Sequence, residues 1–232
     1  MLNAMNATGK PTLIAVAHGT RHPAGIAEVT KLIDLVRIRR PDLRVQLCWL
    51  ERATPSLAEM LTTVDGPVVV VPALLSTGYH VKVDITATVA GRPDTAVAAQ
   101  LGPDVRITQV VSERLGQATA LTDLLPAKRP VMLIGAGSSD PQALTELAEV
   151  GRQLERIISL DVLVGQLTDA TSLSQSPQGT LVANYLLAPG YFNDLLHRRA
   201  GPGLVVADPI GADPLVADVI LDRYEVAVKQ LS

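Results

Sequence analysis

The chain states one pattern twice and keeps its histidines only the first time. The segment Thr12-Leu13-Ile14-Ala15-Val16-Ala17-His18-Gly19-Thr20-Arg21-His22-Pro23 returns as Pro130-Val131-Met132-Leu133-Ile134-Gly135-Ala136-Gly137-Ser138-Ser139-Asp140-Pro141, with Gly19 over Gly137 and Pro23 over Pro141. Further on, Leu74-Leu75-Ser76-Thr77-Gly78-Tyr79-His80 returns as Leu186-Leu187-Ala188-Pro189-Gly190-Tyr191-Phe192. A duplication of this kind restricts the fold to two similar lobes. His18 becomes Ala136 and His80 becomes Phe192. Backbone punctuation survives while one pair of imidazoles is lost, which points to His18 and His80 as partners in a single site.

Within each copy the apolar runs alternate with amphipathic stretches. Leu13 to Ala17, Val45 to Leu50 and Val68 to Val71 are short, rich in β-branched residues and bounded by Gly, Pro or charge, as buried parallel strands are. Ile26 to Arg39 places Val29, Leu32, Ile33 and Val36 on one helical face and stops before Pro41. Thr54 followed by Pro55 reads as a helix N-cap with Pro at the first helical position. In the second copy, Asp140 caps a helix through about Ile158, and strands fall near Asp161 to Gln166, Thr180 to Leu187 and Leu204 to Ala207. Thr168 to Gly179 reads as a loop that has lost most of a helix, and Asp213 to Leu231 as a closing helix docked by Val216, Ile220, Tyr224 and Val228. The expected architecture is α/β, with two similar lobes, each a parallel flavodoxin-like sheet flanked by helices. Residues 1–125 form the amino-terminal lobe and 130–232 the degenerate carboxy-terminal one, joined around Leu124 to Arg129.

Composition removes several function classes. A net charge of -3 leaves no electrostatic footprint for nucleic acid. The single Cys48 allows neither an internal disulfide nor a cysteine metal cluster, and beside Trp49 in a buried strand it reads as an inert core thiol. No apolar run approaches a membrane span or a signal segment, so a cytoplasmic protein without membrane attachment is expected. No glycine-rich phosphate cradle ends in Gly-Lys-Ser/Thr, Gly135-Ala136-Gly137 lacks the third glycine of a dinucleotide fingerprint, and Gly-x-Ser-x-Gly is absent.

In an open parallel sheet, ligands bind beyond the carboxyl ends of the strands where strand order reverses. His18 directly follows the first strand and His80 closes the loop after the third, so the two face one crevice. A lone histidine after a strand is commonly structural; two at such positions, both missing from the silent copy, indicate function. Glu51 follows the second strand and reaches the same rim as an acidic contributor to metal capture. Arg21, Arg52 and Lys82 carry charge suited to neutralising carboxylates, with solvated surface as the alternative for each. His22 reads as a surface residue and His197 as a cap for helix carbonyls. Gly19, Gly78 and Tyr79 recur in the second copy, so backbone geometry or packing accounts for them, and Phe192 reads as filling space in the second crevice.

The His18-Gly19-Thr20-Arg21 loop, the Trp49-Leu50-Glu51 segment with Pro55-Ser56-Leu57, and above all Val70-Val71-Pro72-Ala73-Leu74-Leu75-Ser76-Thr77-Gly78-Tyr79-His80-Val81-Lys82-Val83-Asp84 resemble the class II tetrapyrrole chelatases, in particular the sirohydrochlorin chelatase group. The resemblance implies two α/β lobes enclosing a cleft, with paired histidines for metal binding and proton removal. Those roles fall on His18 and His80, with Glu51 as a third catalytic candidate. Thr20, Arg21, Ser76, Gly78, Tyr79 and Lys82 become the implied substrate-binding set. The long two-lobed form of the family keeps chemistry in the amino-terminal lobe alone. The implied reaction is insertion of Fe2+ into sirohydrochlorin to make siroheme. Cobalt insertion for corrinoid synthesis is one alternative, and a non-catalytic tetrapyrrole or metal carrier is the other. The metal is a substrate, no tightly bound cofactor is needed, and the expected assembly is a monomer or homodimer.

Overall fold

A computed structural model describes residues 9–78, 80–120, 129–169 and 173–231, with the backbone only for residues 80–82 and 120. The buried runs of the first copy form one parallel sheet from β1 (Thr12–Ala17), β2 (Val45–Trp49), β3 (Val68–Pro72) and β4 (Thr95–Val97), in the order β2-β1-β3-β4. Every residue of β1 and β3 is buried. Layers on both faces explain why these strands read as unbroken apolar runs and not as alternation. The register runs from Leu13 opposite Val45 to Ala17 opposite Trp49, and from Thr12 opposite Val68 to Val16 opposite Pro72.

Helix α1 (Pro23–Arg39) buries Val29, Leu32, Ile33 and Val36, the expected stripe. It starts ahead of Ile26 because Pro23, with φ preset for a helix and no N–H to satisfy, occupies its first turn. The next helix departs from expectation: α2 (Leu57–Thr63) is capped by Ser56, not Thr54. Ser56 Oγ accepts the Glu59 N–H at 3.2 Å while Glu59 Oε2 accepts the Ser56 N–H at 2.7 Å, a complete capping box. Pro55 stays outside the helix, its carbonyl taken by the Trp49 N–H at 3.0 Å. After β3 the chain forms a π-helical turn (His80–Ile85) and a short α3 (Thr86–Val89), which the hydrophobic pattern did not announce. Leu57 and Met60 of α2 close the core on Ile14, Val16, Cys48 and Val70.

The second sheet repeats the first in the order β6-β5-β7-β8, from β5 (Val131–Gly135), β6 (Val162–Gln166), β7 (Leu181–Tyr185) and β8 (Val205–Val206). Helix α5 (Pro141–Ile158) is capped by Asp140, whose Oδ1 accepts the Gln142 N–H at 2.9 Å. Helix α6 (Tyr191–Ala200) follows β7 and carries His197 in its last turn. Within the expected loop Thr168–Gly179, residues 173–174 are helical and 170–172 lie outside the described residues. Leu167 and Leu173 reach the core formed by Met132, Ile134, Val182 and Leu196.

The partition of the chain differs from the expected boundary at 125 and 130. The first packed unit ends at Leu101 and resumes at Ala212, and the second is Gly102–Gly211. Helix α4 (Val105–Ala120) therefore belongs to the second unit, and the closing helix α7 (Pro214–Val228) to the first. The reason lies in what their faces touch. α7 buries Val216, Ile220 and Tyr224; Tyr224 donates to the Pro11 carbonyl at 2.8 Å, and Arg223 donates to the Gln100 and Leu101 carbonyls, each at 3.0 Å. α4 buries Ile107, Val110 and Val111, and Thr108 donates to Gln153 on α5 at 2.7 Å. Of the expected linker Leu124 to Arg129, residues 124–128 lie outside the described residues.

Candidate functional site

Because Ala17 pairs with Trp49, the residues that follow β1 and β2 leave the sheet side by side. Pairing continues past the strands: the Leu50 N–H donates to the Ala17 carbonyl at 2.9 Å and the Glu51 N–H to the His18 carbonyl at 3.1 Å. His18 Nε2 then lies 3.3 Å from Glu51 Oε1. The two side chains are 38% and 39% exposed, so both are accessible to a ligand. Gly19, at φ +98°, makes this approach possible; a Cβ there would sit 1.8 Å from the Glu51 carbonyl oxygen. Arg52, at φ +63°, donates from Nε to Glu51 Oε1 at 3.0 Å. The carboxylate is thus shared by an imidazole and a guanidinium, a contact for Arg52 that sequence alone does not distinguish from solvated charge.

The other expected residues distribute around this pair. Thr20 Oγ1 accepts the His22 N–H at 3.0 Å, stabilising the turn into α1, for which His22 is the N-cap. Arg21 is exposed. Ser76 and Gly78 are half-buried in the loop after β3, and the buried Thr77 between them accepts from Gln100 Nε2 at 2.6 Å. Gln100 carries no motif that would have marked it. Tyr79 lies outside the described residues. His80 is the first residue of the π-helical turn, which also contains Lys82. The strand order β2-β1-β3 places the three loops bearing Glu51, His18 and His80 at the carboxyl ends of neighbouring strands, the switch-point position for ligands.

The second unit supplies a control on this geometry. Gly137 repeats the positive φ of Gly19 at +106°, and Ser138 Oγ accepts the Asp140 N–H at 3.0 Å as Thr20 accepts that of His22. The Leu167 N–H donates to the Gly135 carbonyl at 2.9 Å, matching Leu50 on Ala17. By this register Thr168 is the counterpart of Glu51. Sequence comparison misses that equivalence because the segment after β6 has diverged; only strand pairing aligns it. Phe192, the counterpart of His80, is 39% exposed.

Chemically, a neutral imidazole accepts a proton, and an imidazole with a carboxylate offers two donors to a first-row divalent ion. Among the described residues no three of His, Cys, Asp and Glu gather into one cluster. Cys48 takes no part: it is fully buried, and burial pushes its thiol up to about 12. Among the described residues no helix is long and apolar enough to cross a membrane.

The CbiX family model matches residues 12–125. A sirohydrochlorin ferrochelatase of Priestia megaterium is 25% identical over 154 residues, 62% of this chain and 56% of that protein, so the match spans little more than half of the relative's length. A sirohydrochlorin cobaltochelatase of Methanococcoides burtonii is 25% identical over 117 residues, 49% of this chain and 89% of that protein. Among solved structures, the sirohydrochlorin chelatase SirB from Bacillus subtilis subspecies spizizenii, in complex with cobalt, superposes with a TM-score of 0.79 at 21% identity, covering 95% of this chain and 96% of that one. CbiX, described as the terminal enzyme for biosynthesis of siroheme in denitrifying bacteria, gives a TM-score of 0.69 at 17% identity over 93% of this chain and 99% of the other. With the CbiX match across the first sheet and the two-lobed fold shared along nearly the whole length, the chain is similar to the CbiX/SirB-like chelatases.

Proposed function

We propose that the protein inserts a divalent metal, Fe2+ foremost, into sirohydrochlorin. The observation that carries this reading is the His18–Glu51 pair, 3.3 Å apart in the first unit, against Ala136 and Thr168 at the matching positions of the second. The macrocycle gives up two pyrrole protons as the divalent ion enters. His18 and His80 are assigned to present the metal and accept a proton, and Glu51 to hold the incoming cation beside His18. Arg21, Lys82, Ser76, Gly78 and Tyr79 are assigned to the substrate, with the two cations answering its carboxylates. Thr20 contributes through its loop, since its hydroxyl already takes the His22 N–H.

Cobalt insertion is the second reading, favoured by the cobaltochelatase name of the Methanococcoides burtonii relative. A donor set of imidazole and carboxylate does not by itself separate these metals by affinity. The metal is substrate in either case, and no resident cofactor is required. A free, buried thiol supports a reducing, cytoplasmic setting. The deciding experiment is turnover followed by the absorbance change of sirohydrochlorin with Fe2+, Co2+ and Ni2+ under reducing, anaerobic conditions. Catalysed insertion with Fe2+ fastest supports the reading, Co2+ fastest moves it to the second, and tight binding without turnover replaces both with a carrier.

A further inference from the structure

Among the described residues only two that are not glycine adopt positive φ, Arg52 at +63° and Ser159 at +56°. Ser159 ends α5, where a left-handed residue closes the last helical turn, its N–H on the Glu155 carbonyl at 2.8 Å. Arg52 ends no helix. It is the middle residue of a three-residue turn closed by the Ala53 N–H on the Glu51 carbonyl at 2.8 Å, a strained form when the central φ is positive. In the second unit Asp169 follows Thr168 without positive φ, and its N–H closes instead on the Gln166 carbonyl at 3.1 Å. Neither the strained turn nor the cation recurs where the carboxylate is missing.

The side chain carried by this turn reaches back to the site. Arg52 Nε donates to Glu51 Oε1 at 3.0 Å, and the same oxygen lies 3.3 Å from His18 Nε2. The oxygen placed to share a cation with the imidazole is thus already engaged by a guanidinium. A positive charge bonded to a donor oxygen takes up its lone-pair density and repels a divalent ion approaching the same atom. The engagement is exchangeable, because the Arg52 side chain is 58% exposed and an exposed ion pair is weak. A second carboxylate, brought by a ligand, can take the guanidinium in its place.

We infer that Arg52 is a positioning residue that guards Glu51: it withholds Oε1 from a bare metal ion and releases it when a carboxylate of the tetrapyrrole takes the guanidinium. This rests on the chelatase reading above. The test measures Co2+ binding to the full chain by calorimetry without tetrapyrrole, in the parent and in Arg52→Gly, since glycine accepts a φ of +63° without strain. The expected result is Co2+ binding about tenfold tighter in the variant, with a melting temperature no lower than the parent's. Arg52→Lys, which keeps the charge, binds Co2+ as the parent does. In a Glu51→Gln background, Arg52→Gly changes Co2+ affinity by less than about twofold, because the guarded carboxylate is gone. In steady-state insertion, Arg52→Gly raises KM for sirohydrochlorin about threefold and leaves kcat within about twofold of the parent. Unchanged Co2+ affinity in Arg52→Gly overturns the guard, as does a gain that survives Glu51→Gln. An unchanged sirohydrochlorin KM beside normal parent turnover overturns the hand-over. A parent chain that neither turns over nor binds sirohydrochlorin overturns the chelatase reading, and the hand-over with it, whatever Arg52→Gly does to Co2+ binding.

Discussion

The first and second sheets share a strand order and a turn geometry, and they part company at three side chains. Gly19 and Gly137 both adopt positive φ, and the Thr20 turn at 3.0 Å is matched by the Ser138 turn at 3.0 Å. Against that constant backbone, His18, Glu51 and His80 correspond to Ala136, Thr168 and Phe192. The turn geometry recurs in both units, and the proposed donors stand in one alone. The contrast separates folding from function at single-residue resolution, because each candidate has a counterpart on an equivalent scaffold.

Removing the chemistry of the first unit is expected to have the largest effect. His18→Ala, His80→Ala and Glu51→Gln should each lower insertion about 100-fold under limiting metal, the scale of lost acid–base catalysis. Melting temperatures of the His18 and Glu51 variants should scarcely move, since both side chains are more than a third exposed. Near-normal turnover in either histidine variant breaks the contrast between the units.

The next effect is on pH. If a neutral imidazole takes the pyrrole proton, protonating it removes the acceptor, so activity declines as pH falls below about 6.5, the ordinary histidine value. Initial rates between pH 5 and 8, corrected for uncatalysed insertion, should show this acid limb. A flat profile dismisses a histidine base.

Gly19→Ala and Gly137→Ala compare the two turns directly. Both place a side chain at positive φ, but in the first the new Cβ meets the Glu51 backbone oxygen at 1.8 Å, and in the second the Thr168 side chain at 2.4 Å. Thr168 can rotate away, whereas a backbone carbonyl cannot. Losses of about 3 kcal/mol for Gly19→Ala and about 1.5 kcal/mol for Gly137→Ala follow, read from urea unfolding curves. Equal losses remove the argument that Gly19 exists to admit Glu51.

A smaller effect comes from Cys48, which stands opposite Val16 where the second sheet has Gly165 opposite Ile134. Its thiol is raised to about 12 by burial, against about 8.5 when unfolded. Its contribution to stability is full below the unfolded value and fades as pH climbs towards 12. At pH 8 the folded protein should resist a thiol reagent and react once urea opens the first unit, so labelling reports that unit alone. Rapid labelling without denaturant contradicts the sealed core.

No effect at all is expected from restoring donors to the second unit. In a chain carrying His18→Ala and His80→Ala, adding Ala136→His, Thr168→Glu and Phe192→His should leave insertion at background, because the segments after β6 and β7 differ from their counterparts in the first unit. Substantial rescue, measured by the same absorbance assay, would show that the second rim lacks only its donors.

Much of this was legible in the chain. The strands β1, β3, β5 and β7 announce themselves because sheets covered on both faces need unbroken apolar runs, and the stripe of α1 follows helical period. The α2 start was misread by two residues: Thr54-Pro55 is a good cap signal, but Ser56 with Glu59 forms the reciprocal pair and prevails. The π-helical turn at His80 and the short β4 carry too few residues to show a period. Gln100 and Arg52 were unreadable as neighbours of Thr77 and Glu51, since contact was all that distinguished them.

By itself the sequence determined the duplication, the two parallel α/β sheets and the loops on which His18, Glu51 and His80 stand, because strand and helix periodicity and turn residues act over a few positions. Tertiary structure alone decided which sheet each closing helix covers. The stripe Val216, Ile220 and Tyr224 requires burial of a face of α7, but hydrophobic attraction has no direction and names no partner. The bond from Tyr224 to Pro11 and those from Arg223 to Gln100 and Leu101 select the first unit. The meeting of His18 with Glu51, and the match of Glu51 to Thr168, likewise wait on strand register, which pairs residues far apart in the chain and has no local trace.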